Sequence, residues 1–362
     1  MDIVLTDIDA LYAHRLARRS DAPFKLVKAH ETPTSALFGK RKDFDSSVLP
    51  VLEQLGLTSR GYPIHVRVFN DHHRPRFKKV APHVCSVRLS RGSFWKVVPT
   101  SIELSHEMEE QGIRVFVDCP ELCVISRAAS CQRSESGKNA TITRFAKTLA
   151  LASELAGRFS LDPDDPANGA TLYDIEPVMT REELLTYVAN ASGIDGLGLA
   201  RSVAGCLANQ QGSIMEVALY ACLTLRPALG GLHLARPITN EPLPLGDRIR
   251  PLLKHKTIRP DFYWMEYGLV LEYDGEPHFT DEGIREDKRR LNDYQVLGLA
   301  VFPVFDEDMR EDKARDALLR RIVRHMAKTD GPSLRRRTNL IFANKAYANR
   351  RAVLIDGIRA VS

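Results

Sequence analysis

The sequence predicts an α/β protein built from more than one folded unit, on three observations. Its 362 residues exceed the roughly 150 of a typical domain, so two or three units are expected. The patterning changes along the chain: short β-like runs occupy 62–118, whereas after about 211 the order becomes helix, irregular segment, two strands, helix, strand, helix. That order is the skeleton of a small α/β domain, here a small central mixed sheet flanked by helices. Apolar residues make up 44 % and charged residues 27 %, ordinary globular values that exclude wholesale disorder.

Residues 1–60 read as a mostly helical segment, with patches such as DIDALYAHRLARR and SVLPVLEQLGL. An α+β module is expected over 61–165, with β-runs in YPIHVRVF, HVCSVRL, SFWKVV and GIRVFVD and helices near 120–132 and 141–159. The Asp-, Pro- and Gly-rich stretch 160–170 reads as a loop. A helical connector covers 166–210, where Thr180 and Glu183 have capping-box spacing. The α/β domain spans 211–329. It comprises a helix at 213–225, β-runs TIRPDFYW and GLVLEYDG joined by MEY, an amphipathic helix, the strand AVFPVF and a second amphipathic helix.

The last segment, 330–362, holds seven basic residues against two acidic ones and is expected to be a basic tail, either solvated or contacting phosphates. Overall the chain carries a formal charge of +5, compatible with a polyanionic partner without requiring one. No apolar run approaches the roughly 18 residues of a membrane span. The start lacks the basic-then-apolar order of a secretory signal, so a cytoplasmic protein without membrane partners is expected. The six cysteines are expected to be free buried thiols. Cys119, Cys123 and Cys131 lack a Cys-x-x-Cys pair or a nearby His and are not expected to bind zinc.

The stretch that points to chemistry is Arg259-Pro260-Asp261-Phe262-Tyr263-Trp264 followed by Leu269-Val270-Leu271-Glu272-Tyr273-Asp274-Gly275-Glu276-Pro277-His278. Side chains alternate along a strand, so Glu272 and Asp274 share one face. Two carboxylates on an otherwise apolar strand are costly unless a cation sits between them. Asp261, at the start of the neighbouring strand, would join them. Three converging carboxylates suit a hard cation, Mg²⁺ or Mn²⁺. The competing reading has these acids capping turns, which serves Asp274-Gly275 but not Glu272 within its apolar run.

These motifs resemble the PD-(D/E)XK nuclease superfamily, and more closely the endonuclease-like domains related to very-short-patch repair enzymes. The resemblance rests on Pro260-Asp261, Glu272-Tyr273-Asp274-Gly275, His278, the run from Asp287 to Arg290, Leu297-Gly298 and AVFPVF, and covers about 211–325. It implies a restriction-endonuclease-like fold and a Mg²⁺-dependent endonuclease, with DNA favoured over RNA as substrate, in genome defence, repair or mobile-element biology. In it Asp261, Glu272 and Asp274 would hold the metal. The superfamily's final Lys is replaced by Asp274, which leaves the base open; His278 is the candidate for proton transfer, against a reading as a surface turn residue. Glu216, third after Ser213 in the opening helix, would assist at the site, against a reading as a solvated helix Glu.

Helical spacing puts Asp287 between Ile284 and Leu291 on the face shared with Tyr294, where Arg290 can pair with it or reach a phosphate. Phe262, Tyr263 and Trp264 read as core, with base stacking as the minority reading. More distantly, IHVRV, the basic stretch Arg74, Arg76, Lys78 and Lys79, His83 and VFVDCPELCVISRA resemble the middle region of AbiEi-type antitoxin-like proteins. That resemblance implies a DNA-contacting or regulatory module with those four residues as phosphate ligands. Arg335, Arg336 and Arg337 of the tail are further candidates. A homodimer and a toxin–antitoxin or defence partner are compatible with such families. The alternative function is a DNA-binding regulator whose nuclease-like domain is inactive.

Overall fold

The computed structural model describes residues 1–34, 41–71, 74–274 and 281–360, without the side chains of 281–284, 286 and 287. It is a mixed α/β architecture with two mixed sheets, as the patterning predicts. The chain divides into two compact units, one built on 1–207 and the other on 208–359.

In the N-terminal unit, β1 (Asp2–Leu5) leads into α1 (Asp7–Ala17) and β2 (Phe24–Lys28). The short α2 (Arg41–Asp43) continues through a wide turn, Phe44–Val48, into α3 (Leu49–Gln54). There follow β3 (Ile64–Val68), β4 (Val80–Val84), β5 (Phe94–Pro99), α4 (Ile102–Glu110) and β6 (Arg114–Asp118). The unit closes with α5 (Pro120–Ser134), α6 (Ala140–Leu155), α7 (Arg181–Asn190) and α8 (Leu197–Ala204). The sheet order is β2-β5-β6-β1-β3-β4. β1 is parallel to β6 and antiparallel to β3. Residues 1–60 therefore supply two strands to the sheet of 61–165 and do not stand apart as the mostly helical segment expected. Asp-Ile-Val-Leu is buried along its whole length and so shows no alternation to mark it as a strand. The Thr180 capping box forms as predicted, Thr180 Oγ1 accepting from the Glu183 amide at 3.1 Å and Glu183 from the Thr180 amide at 2.8 Å.

The C-terminal unit opens with α9 (Ile214–Thr224), whose N-cap Ser213 accepts from the Glu216 amide at 3.1 Å. β7 (Ile238–Thr239), β8 (Phe262–Trp264), β9 (Leu269–Asp274), α10 (Asp281–Val296) and β10 (Ala300–Phe305) follow. The sheet order is β10-β9-β8-β7, with β9 and β10 parallel across α10 and the other pairs antiparallel. Phe262 and Trp264 are buried, and the Trp264 indole donates to the Ala235 carbonyl at 2.8 Å, so these aromatics are core. Ile258, Val270 and Tyr294 form a buried cluster beneath α10.

The second amphipathic helix divides into α11 (Asp306–Arg310) and α12 (Asp312–Asp330). The expected basic tail is instead two further helices, α13 (Pro332–Ala343) and α14 (Lys345–Arg359). α14 packs on α9, its Leu354 and Ile358 are buried, and its Arg351 is buried and paired with Asp316. The charge count misled because Arg351 is buried against the partly exposed Asp316, while Leu354, Ile355 and Ile358 supply an apolar stripe. No described helix is long and apolar enough to cross a membrane.

Candidate functional site

The short connection between β8 and β9 fixes the centre of the C-terminal unit. Phe262 lies opposite Leu271, so Asp261 falls beside Glu272 at the end of the pair. Asp261 Oδ2 accepts from the Tyr273 amide at 2.6 Å, so this acid is held by the strand that carries the other two. α9 sets Glu216 from the other side. It is 6 % exposed and accepts from the Gly212 amide and from Asn240 Nδ2, each at 2.8 Å. A Cβ at Gly212 would lie 2.8 Å from Glu216 Oε1, so a larger residue there would displace that carboxylate.

Electrostatics divide this site into an unpaired and a paired half. Burial, and then the charge of Asp261, push the Glu216 carboxyl well above the ordinary range; its hydrogen bonds only partly oppose this. Burial likewise raises Asp261, against the pull of the Tyr273 amide and of Arg290. Both donors to Glu216 are uncharged amides, so two neighbouring carboxyls share a low-dielectric pocket with too little positive charge. Glu272 has the opposite setting: Arg290 Nη2 lies 3.2 Å from its Oε2, and the Tyr294 hydroxyl donates to Oε1. Burial pulls the Arg290 guanidinium down, but Glu272, Tyr294 and Asp261 together outweigh it and hold Arg290 above its usual value. Arg290 also donates to the Arg259 carbonyl at 2.6 Å.

Beside these groups a cavity of about 320 Å³ is lined by Glu272, Asp274, Arg290, Tyr294 and the β10 residues Val301, Pro303 and Phe305. Tyr273, on the opposite face of β9, directs its hydroxyl to Asp306 at 3.1 Å, so the predicted alternation holds. Asp261, Glu272 and Asp274 are not drawn together around one point. Among the described residues, the group of three metal-ligating side chains whose atoms lie within 4.8 Å of one another is Asp7, His65 and His83, not this trio. Glu272 is turned onto Arg290 and Tyr294, and the carboxyl coupled to Asp261 is Glu216. The predicted cost of clustered carboxylates is thus met in part by an internal cation. The donor set is all carboxylate oxygen, which fits a hard divalent ion, and the Glu216–Asp261 pair is where positive charge is short.

The remaining predicted residues divide clearly. His278 and Gly275 lie outside the described residues, as does the side chain of Asp287; Arg290 pairs with Glu272. Leu291 is exposed rather than on the buried face of α10, which Asp293 and Tyr294 occupy. Asp293 accepts from the amides of Lys254 and His255, both at 2.9 Å, and so pins a loop. Of the basic stretch between β3 and β4, Lys79 is bound to Asp45 at 2.7 Å, whereas Arg74, Arg76 and Lys78 are exposed. Arg335, Arg336 and Arg337 are exposed on α13, the last donating to the His233 carbonyl at 3.1 Å. Cys119, Cys123 and Cys131 are buried free thiols.

Sequence reasoning missed Asn240, Tyr294 and Gly212 as parts of this site, and Asp7, His65 and His83 altogether. Only Tyr294 carried a signal, a phenol on the inner face of α10. No family model, curated protein or solved structure matches the chain.

Proposed function

We propose that the C-terminal unit is a divalent-cation-dependent endonuclease that hydrolyses phosphodiester bonds, with DNA as the favoured substrate. The observation that carries this reading is the Glu216–Asp261 pair, two neighbouring buried carboxyls without a cation of their own, next on the sheet to Glu272, which lines the cavity. A fold rarely maintains such a pair for stability, since two hydrophobic or hydrogen-bonded neutral groups would cost less. Asp261 and Glu216, with Glu272 and Asp274, would hold Mg²⁺ or Mn²⁺. Such an ion, when bound, polarises the phosphate and lowers the pKa of the attacking water.

The protein's own groups supply the rest. Arg290 balances Glu272 and presents a guanidinium at the cavity, where a scissile phosphate can share it. Tyr294 orients Glu272 by its hydroxyl. His278 is the proposed proton-transfer group. The exposed Arg74, Arg76, Lys78, Arg335 and Arg336 would add sequence-independent affinity for the phosphate backbone.

One observation favours a second reading, a DNA-binding regulator with an inactive nuclease-like domain: Glu272 is already matched by Arg290 and Tyr294. Incubation of the protein with supercoiled plasmid, and separately with single-stranded RNA, in Mg²⁺, Mn²⁺ or EDTA separates the two. Metal-dependent nicking that is lost in Asp261→Asn and Glu272→Ala supports the endonuclease. Binding without metal-dependent cleavage, unchanged by Glu272→Ala, supports the regulator, and cutting of RNA alone would move the substrate from DNA to RNA.

A further inference from the structure

The N-terminal unit holds a second polar centre that the nuclease reading does not use. β3 and β4 run parallel with Arg67 opposite His83, so His65 and His83 emerge on one face of the sheet at diagonal positions. Their ring centroids are 5.0 Å apart and His65 Nδ1 lies 2.8 Å from His83 Nε2. Asp7 reaches them from the end of β1 with a φ of 54°, a left-handed conformation that a non-glycine residue adopts at a cost. Its Oδ2 is 3.7 Å from His65 Nδ1, and one ligating atom from each of the three residues lies within 4.8 Å of the others. Ser130 donates to that same oxygen. The second oxygen, Oδ1, has no hydrogen-bond partner although Asp7 is only 2 % exposed.

We propose that Asp7, His65 and His83 bind a divalent transition-metal ion of the Zn²⁺ class. Two imidazole nitrogens and one carboxylate oxygen form a borderline donor set, softer than the all-carboxylate centre of the other unit. Metal–nitrogen bonds of about 2.1 Å place two imidazole ligands roughly 3 Å apart, close to the spacing these rings already have. The ion would satisfy the orphaned Oδ1 or its partner oxygen, while the hydroxyl of Ser130 orients the carboxylate from behind. Three protein ligands leave a coordination position open. His83 borders a cavity of about 460 Å³ that is also lined by Arg67, Arg74 and Arg133. The charge of Arg67 is answered by Asp118, Arg74 lies 3.9 Å from Asp71, and Asp195 also lines the cavity; Arg133, whose Nη2 is 3.5 Å from His83 Nδ1, is the cation beside the open position, where an anionic co-ligand such as a phosphate would meet it.

The test is titration of the full, metal-stripped chain with Zn²⁺ in excess Mg²⁺, which competes for the acidic centre, followed by X-ray absorption of the loaded protein. One equivalent is expected to bind in the wild type and in Glu272→Ala, and to be lost in the double variant His65→Ala/His83→Ala. The absorption spectrum should show only nitrogen and oxygen neighbours at about 2.0–2.1 Å. Failure of the wild type to bind Zn²⁺, or an equivalent that the double variant retains, overturns the proposal. So does sulfur scattering at about 2.3 Å, which would place the ion on thiols, of which Cys85 lines the same cavity. If circular dichroism shows the double variant unfolded, the absorption spectrum of the wild type decides alone.

Discussion

Beneath α5 of the N-terminal unit, Arg67 and Asp118 are 4 % and 0 % exposed and answer each other's charge, with Thr6 and Ser126 taking up the remaining hydrogen bonds. Arg15 and Glu154 repeat the pattern with two parallel bonds of 2.8 Å. In the C-terminal unit, Glu216 and Asp261 share a buried setting, and Arg290, paired with Glu272, sets one positive charge against the acids there. A matched interior charge holds elements together and asks for nothing else. An unmatched one is neutralised by taking up a proton, or is completed by a cation from outside the chain.

Breaking the matched centre should give the largest effect. Asp118→Ala leaves the Arg67 guanidinium buried without its counter-charge and is expected to cost about 3–5 kcal/mol, read from urea unfolding. A loss below about 1 kcal/mol would mean that water reaches Arg67 and that the contrast between the two centres is false.

At the unmatched centre, Glu272→Ala should lower metal-dependent plasmid nicking by at least about 100-fold, the several kcal/mol that a metal-held phosphate contributes. Its effect on stability should be smaller than that of Asp118→Ala, because Arg290 keeps the Arg259 carbonyl as a partner. Activity that survives the substitution would assign Glu272 to the fold rather than to the chemistry.

Glu216→Gln sharpens the comparison through pH. The folded carboxyl titrates above its unfolded value, so the stability it contributes is complete below the ordinary carboxylate range. That stability is lost as the pH rises through the folded value. The metal-free Gln variant should therefore gain on the wild type between about pH 5 and pH 8.5, by about 1.4 kcal/mol for every tenfold by which folding weakens this acid. An equal difference at both ends of that range would show that Glu216 is not held against its charge.

The smallest effect belongs to the surface. Arg335 and Arg336 are exposed. Reversing both to Glu should leave unfolding unchanged while lowering the salt slope of DNA binding by about 0.9 for each phosphate that is no longer neutralised. Deleting 330–362 is not an equivalent experiment, since it would remove α14, which packs on α9 and carries the buried Leu354 and Ile358.

Local pattern made much of this molecule readable. The apolar runs in LVLEYD and AVFPVF, the N-caps Ser213 and Thr180, and the Pro-Asp before an aromatic strand placed the small sheet and its acids. Two kinds of feature escaped. β1 is buried on both faces and β2 is short, so neither alternates, and their membership in the first sheet depends on pairing with residues about 70–110 positions away. The side-chain partners at the centre escaped too. Nothing in the sequence says that Glu272 will turn to Tyr294 and Arg290, or that Glu216 will meet Asp261, because strand spacing gives a face but not a rotamer. The trio expected from spacing is in this way replaced by a pair and a neutralised third acid. Asp7, His65 and His83 were invisible for the same reason, since three separate elements bring them together.

The measurement closest to the central claim is crystallographic. A crystal of the protein soaked in Mn²⁺, with data collected at the manganese absorption edge, should show an anomalous peak in contact with Asp261 and at least one of Glu216, Glu272 and Asp274. An empty acidic centre at millimolar Mn²⁺, with Arg290 still seated on Glu272, would contradict the endonuclease and leave that centre as a self-neutralised element of the fold.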